Sequence, residues 1–174
     1  YKSNVIKKFF KNKFKKWNIN IIETGKNTMT GGRLKRLKKY LKNETFLMTY
    51  GDGVSNIDIK KLVKFHNQKK KLVTVTAVRP PARFGVLKIK EDKVVYFKEK
   101  SKLDSGWING GFFVIEPFFL NYINNDKTFL EREPLENVLK KKQLNAFKHH
   151  GFWQCMDTKR DKDNLEKIFK NKKL

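Results

Sequence analysis

The chain reads as an α/β domain with a mixed, mainly parallel sheet, and three observations lead there. A strand-length apolar run, Thr45-Phe46-Leu47-Met48-Thr49-Tyr50, stops abruptly at Gly51-Asp52-Gly53, as a buried strand does when it delivers a carboxylate at its carboxyl end. Strand-like and helix-like stretches alternate through the first half, and β-rich material follows in the second. No internal repeat, low-complexity tract or flexible linker divides the 174 residues, so a single domain over 1–174 accounts for the whole.

Taken in order, Val5, Ile6, Phe9, Phe10, Phe14 and Trp17 recur at helical spacing, with Ser3 or Asn4 as the cap. The alternation around Ile19 and Ile21 predicts a strand over Asn18 to Glu23. Thr24 to Gly32 is a loop of small residues, and Arg33 opens a helix with Leu34, Leu37 and Leu41 on one stripe. Two glycines and several hydroxyls before a helix N-terminus suit an anion, because unpaired N–H groups point outward there; an ordinary capped loop has the same composition.

Beyond Asp52, Asn56 is expected to cap a helix carrying Ile59, Leu62, Val63 and His66, with His66 a satisfied helix-end histidine rather than a ligand. Leu72 to Val78 is a β-branched strand. Pro80-Pro81 stops both helix and ladder, and Val86 to Ile89 with Val94 to Phe97 form a hairpin across Glu91-Asp92-Lys93. Asn109-Gly110-Gly111 sets a polar amide beside bare backbone, suited to sugar hydroxyls or to a loop needing positive φ, and a strand follows over Phe112 to Ile115. Short helices begin at Pro117 and Pro134, and Leu144 to Lys148 is the last strand. His149-His150 stand at its exposed end without a third ligand at zinc-like spacing. Thr158 with Asp161 makes a capping box for a helix with Leu165, Ile168 and Phe169 on its apolar face. Asp157, just before it, is either a cap or a second carboxylate for a cation at Asp52.

Composition narrows the function. The chain holds 41 Lys and Arg against 17 Asp and Glu, a net charge of +24. The lysines are spread along the sequence rather than clustered with aromatics, which argues for solvated faces and a field that attracts anions such as nucleotides and sugar phosphates, and against a nucleic-acid groove. The lone Cys155 excludes an internal disulfide framework and fits a reducing compartment. No run approaches the length of a membrane span, and no signal peptide is visible.

Several stretches carry a family resemblance in order: Asn27-Thr28-Met29-Thr30-Gly31-Gly32-Arg33, Thr49-Tyr50-Gly51-Asp52-Gly53-Val54, Thr74-Val75-Thr76-Ala77-Val78 with Arg83-Phe84-Gly85, Trp107-Ile108-Asn109-Gly110-Gly111-Phe112, Glu131-Arg132-Glu133-Pro134, and Gly151-Phe152-Trp153-Gln154 with Met156-Asp157-Thr158. Together they resemble the glucose-1-phosphate cytidylyltransferase family, over almost the whole chain from about Asn18. The resemblance implies a Rossmann-like nucleotidyltransferase fold and the reaction of CTP with α-D-glucose 1-phosphate to CDP-glucose and diphosphate, in deoxysugar and surface-polysaccharide synthesis. It implies Asp52 and Asp157 as catalytic metal ligands for Mg²⁺. Thr28, Arg33 and Gly51 would stand around the substrate, Glu99 would take sugar hydroxyls and Lys100 the phosphate, and Asn109-Gly110 would line the sugar. It further implies a cytoplasmic homo-oligomer without nucleic-acid or membrane partners.

The departures are specific. Ser101 stands where the family has a Pro after Glu-Lys, and Cys155 replaces the Pro before Met-Asp. The chain opens on Tyr1-Lys2-Ser3, past the family's glycine-rich nucleotide loop, so the expectation is an N-terminally incomplete fragment, inactive alone. Two alternatives stay open: a sugar-1-phosphate nucleotidyltransferase with another base or sugar, and a basic nucleic-acid-binding protein.

Overall fold

The computed structural model describes residues 2–14, 16–80, 86–98 and 106–171. Backbone contacts gather the chain into two units, one made of Tyr1–Glu44 with Pro117–Lys142, the other of Thr45–Glu116 with Gln143–Leu174.

The first unit is helical. It holds α1 (Ser3–Lys13), α2 (Thr30–Arg36), short 3-10 helices over Lys38–Tyr40 and Pro117–Tyr122, and α4 (Glu133–Lys140). Leu34, Phe119, Leu120, Ile123, Leu130 and Val138 are its buried apolar residues. The cap of α1 differs from expectation: Lys2 occupies the N-cap in the left-handed region, no side chain caps the helix, and Ser3 lies within its first turn. The strand expected over Asn18 to Glu23 does not form. Alternation alone supplies no neighbour for the backbone, and this stretch is held instead through side chains, Lys7 Nζ on Glu23 Oε1 at 2.6 Å and Arg36 Nη1 on the Thr24 carbonyl at 3.1 Å.

α2 starts at Thr30 rather than Arg33, so Gly31 and Gly32 lie inside the helix. Their N–H groups donate to the Thr128 carbonyl at 3.0 and 3.3 Å, and that of Met29 donates to the Asp126 carbonyl at 2.8 Å. The glycines serve contact: a Cβ on Gly32 would stand 2.5 Å from the Asp126 carbonyl oxygen, and one on Gly31 2.8 Å from that of Thr128. These amides are therefore spent on the 126–128 segment rather than offered to an anion. Arg36 clamps the same segment with a two-pronged grip on the Asp126 carboxylate.

The second unit is built on a four-stranded sheet in the order β1 (Phe46–Thr49), β6 (Ile108–Ile115), β3 (Val73–Val78), β7 (Leu144–His149). β6 runs antiparallel to both neighbours, and β3 pairs β7 in parallel, so β1, β3 and β7 point one way and β6 alone opposes them. The sheet is thus mixed, as the sequence predicts, with one parallel ladder, β3–β7, and two antiparallel ones. β6 begins earlier than expected and takes in Asn109-Gly110-Gly111, with an irregularity against β3 between Val75 and Ala77.

α3 (Ile59–Lys69) covers one face of the sheet. Leu62 is fully buried, Phe65 meets Phe147 edge-on, and His66 bonds Thr74 Oγ1 at 2.8 Å and Glu116 Oε1 at 2.9 Å. His66 is thus satisfied in the last turn of its helix, as expected, and it is also buried. Its helix is capped by Asp58, which accepts from Lys61 N at 3.0 Å, while Asn56 accepts from Phe152 N. β4 (Val86–Lys90) and β5 (Lys93–Lys98) form the expected hairpin, with Glu91 in the left-handed region at its turn. The capping box of Thr158 and Asp161 starts α5 (Lys159–Lys170), whose Leu165 is buried.

Two outcomes follow. Gly32→Ala is expected to cost about 1–3 kcal/mol by urea unfolding, because backbone must give way, whereas Gly51→Ala, with open space at its Cβ, changes stability by less than about 0.5 kcal/mol. Hydrogen bonds from Arg36, then its charge, hold the Asp126 carboxyl below its usual 3.8. A depressed carboxyl stabilises the fold above its unfolded value and loses that contribution as pH falls through the folded one. The Tm gap between wild type and Asp126→Asn should therefore be present at neutral pH and close as pH drops below 3.8.

Candidate active site

The chain following β1 turns at Gly51-Asp52 and enters β2 (Gly53–Ser55), a strand too short for its sequence to announce. β2 pairs antiparallel with β8 (Trp153–Cys155), Gly53 opposite Cys155 and Ser55 opposite Trp153. One step beyond the ladder, Met156 N–H donates to the Asp52 carbonyl at 2.9 Å. That bond sets the backbone of Asp52 beside the residue preceding Asp157, so both predicted carboxylates arrive at one end of one ribbon. Both are exposed. A Cβ on Gly51 would meet nothing within 4 Å, so the approach to Asp52 is open on that side. Cys155 Sγ donates to Asp157 Oδ2 at 3.1 Å.

Two carboxylates at a ribbon end supply hard, anionic oxygen donors, the type that Mg²⁺ takes, with water and phosphate oxygens completing its shell. Among the described residues no three His, Cys, Asp or Glu side chains gather closely enough to hold a metal unaided. The donor set fits an ion shared with a phosphate ligand better than an all-protein cage.

Asn109-Gly110-Gly111 forms the neighbouring wall. Gly111 has φ +79, and a Cβ there would press 2.7 Å from Tyr50 Cδ2; one on Gly110 would press 2.7 Å from Val78 Cγ1. Both glycines are thus required by close packing, and Gly111 also by its backbone. Asn109 Oδ1 accepts from Gly111 N at 2.8 Å, and its Nδ2 donates to the Tyr50 hydroxyl at 3.3 Å. Trp153 Nε1 donates to the Gly110 carbonyl at 2.8 Å, tying β8 to β6. Sequence reading passed over Tyr50 and Trp153 as site-builders. Their motifs place them near the candidate carboxylates, but the tethers themselves are contacts across strands that local spacing does not encode.

Thr28 and Arg33 lie in the helical unit. Thr28 is 5% exposed. Arg33 is exposed, with Nη1 donating to Thr24 Oγ1 at 2.8 Å and Nη2 to the Lys26 carbonyl at 3.4 Å. Glu99 and Lys100 lie outside the described residues. Removing the indole donor by Trp153→Phe leaves the Gly110 carbonyl without that partner, and a stability loss of about 1–3 kcal/mol is expected in chemical denaturation.

Among the described residues no helix is long and apolar enough to cross a membrane. The nucleotidyl transferase family profile matches residues 3–158. The chain is 44% identical to the glucose-1-phosphate cytidylyltransferase of Salmonella typhimurium over 99% of its own length and 76% of that protein's. It is 31% identical to the D-glycero-alpha-D-manno-heptose 1-phosphate guanylyltransferase of Campylobacter jejuni, covering 84% of this chain and 65% of that one. In fold it is similar to HddC from Yersinia pseudotuberculosis, solved in complex with GMP-PN, with a TM-score of 0.72 at 22% identity over 97% of this chain and 75% of that one. The chain therefore belongs to the nucleotidyl transferase family of enzymes, in its glucose-1-phosphate cytidylyltransferase branch.

Proposed function

We propose that this chain transfers a cytidylyl group from CTP to α-D-glucose 1-phosphate, giving CDP-glucose and diphosphate. The observation that carries the reading is the Met156-to-Asp52 backbone bond, which joins two carboxylates distant in sequence at one ribbon end, in a chain 44% identical to a glucose-1-phosphate cytidylyltransferase. In this reaction a phosphate oxygen of the sugar phosphate bonds to the α-phosphorus of CTP as the bond to diphosphate breaks, so the protein's task is alignment and charge compensation. Asp52 and Asp157 would hold Mg²⁺, and the bound ion would offset the negative charge of the phosphates.

The remaining assignments belong to the same reading. Gly51 leaves room for the phosphates beside Asp52. Asn109, with its amide oriented by Tyr50 and Gly111, and the backbone of Gly110 line the sugar. Arg33 donates to phosphate by exchanging its hold on Thr24 and Lys26 for the ligand, with the buried Thr28 in the same loop beside the substrate. Glu99 takes sugar hydroxyls and Lys100 the sugar phosphate. Both units belong to one nucleotidyltransferase domain, since the family match at 3–158 runs through both. The enzyme works as a cytoplasmic homo-oligomer in surface-polysaccharide precursor synthesis.

The test is diphosphate release from CTP and glucose 1-phosphate with Mg²⁺, in the full-length protein. Asp52→Asn and Asp157→Asn should each lower kcat at least about 100-fold with the circular dichroism spectrum unchanged. Turnover retained in both variants refutes the metal assignment. Substituting GTP, UTP or dTTP for CTP, each expected to be a poorer substrate, tests the base.

A further inference from the structure

Arg79, Trp107, Lys148 and His150 belong to none of the roles above, yet the sheet register collects them. Val78 pairs with Ile108 on β6 and with His149 on β7, so the next residues outward, Arg79, Trp107 and His150, are neighbours across three strands. Ala77 pairs with Lys148 and Asn109, and alternation puts Ala77 and Arg79 on one face. All four residues and Asn109 therefore share a face. It is the face opposite α3, because α3 reaches Thr74 through His66 and Phe147 through Phe65, both of the other parity.

The side chains meet around the indole. The Arg79 guanidinium carbon stands 4.8 Å from the Trp107 ring centroid and Lys148 Nζ 5.7 Å from it, while His150 meets the indole edge-on at 5.3 Å. Arg79, Lys148 and His150 are exposed, and Trp107 is half-buried. Two cations held by one ring repel each other. Arg36 has Asp126 and Lys162 has Glu166 as carboxylate partners, whereas no described carboxylate contacts Arg79 or Lys148. A guanidinium resting on an indole can still offer its N–H groups to an acceptor.

We infer that Arg79 and Lys148, braced on Trp107 with His150 at its edge, form a binding site for a phosphomonoester dianion. The chemistry matches: a phosphate dianion takes paired N–H donors from a guanidinium and a point charge from an ammonium, and its two charges balance the two cations. The site uses none of the residues assigned above to the metal, the nucleotide or the sugar phosphate. It lies two residues along β6 from Asn109, roughly 7 Å at strand spacing. It rests on register and cation geometry, so it stands even if the cytidylyltransferase reading fails.

The experiment is isothermal titration of the full-length protein with inorganic phosphate at fixed ionic strength, with chloride as reference ion. Saturable phosphate binding is expected, weakened at least about fivefold in Arg79→Gln and in Lys148→Gln, weakened less in Arg79→Lys, which keeps the charge but loses the paired donors, and unchanged in Lys64→Gln on α3. Near-UV circular dichroism reports that each variant is folded. Absence of saturable binding overturns the site, and so does equal weakening in Lys64→Gln, which would mark a bulk effect of the +24 charge. Kinetics then identify the source of the anion. A raised KM for glucose 1-phosphate in Arg79→Gln, with phosphate competing against it, assigns the site to the sugar substrate. An unchanged KM, with phosphate altering the rate non-competitively, assigns it to a separate phosphorylated effector.

Discussion

The Met156 N–H to Asp52 carbonyl bond is the joint on which the carboxylate-bearing end of the β2–β8 ribbon depends. A strand of three residues has little stability of its own, and β2 gains it only by pairing with β8, from the far end of the chain. The ribbon is fastened at both ends, by that bond on the carboxylate side and on the other by Asn56, whose Nδ2-bearing amide offers its Oδ1 to Phe152 N while Ser55 Oγ donates to the Phe152 carbonyl. Trp153 adds a third tether, to β6. Three weak ties at different points fix a short element that none of them would hold alone.

Close packing of backbone on backbone is the second theme. Gly110 and Gly111 let β6 lie against Val78 and Tyr50, and Gly31 and Gly32 let α2 lie against residues 126–128. In both places the missing Cβ admits a neighbour of the same chain. Glycine near a presumed phosphate site invites the reading that a ligand fills the space. Here the space is already filled at Gly31, Gly32, Gly110 and Gly111, and open at Gly51. That contrast makes the approach to Asp52 the more telling one.

Strong local signals were legible in the sequence. β3 with its β-branched run, the β4–β5 hairpin, the Thr158 capping box and the satisfied His66 all follow from periodicity or turn chemistry within a few residues. What escaped required a partner. Ile19 and Ile21 alternate as a strand would but have no neighbour to pair with, and β2 is a strand only because β8 exists. Asn56 has a good capping side chain, yet Asp58 stands closer to the first turn and Phe152 claims the amide. Within the site, Asp52 and Asp157 could be chosen by motif, whereas the tethers of Tyr50 and Trp153 depend on contacts across strands that local spacing does not encode.

The interleaving of the two units has a consequence for how the protein is made. Residues 117–142 interrupt the sheet-bearing unit, and residues 1–44 wait for them to complete the helical one. During synthesis, α2 emerges with Gly31 and Gly32 facing a surface that does not yet exist, for several seconds at ~5–20 residues per second. β1 likewise emerges before β6, and β2 before β8. The helical unit is complete once residue 142 has been made, and the four-stranded sheet only after β7, so until then the nascent chain carries unpaired apolar runs together with a high positive charge. The dispersed lysines then keep an unfinished chain in solution, a task they perform before any substrate is met.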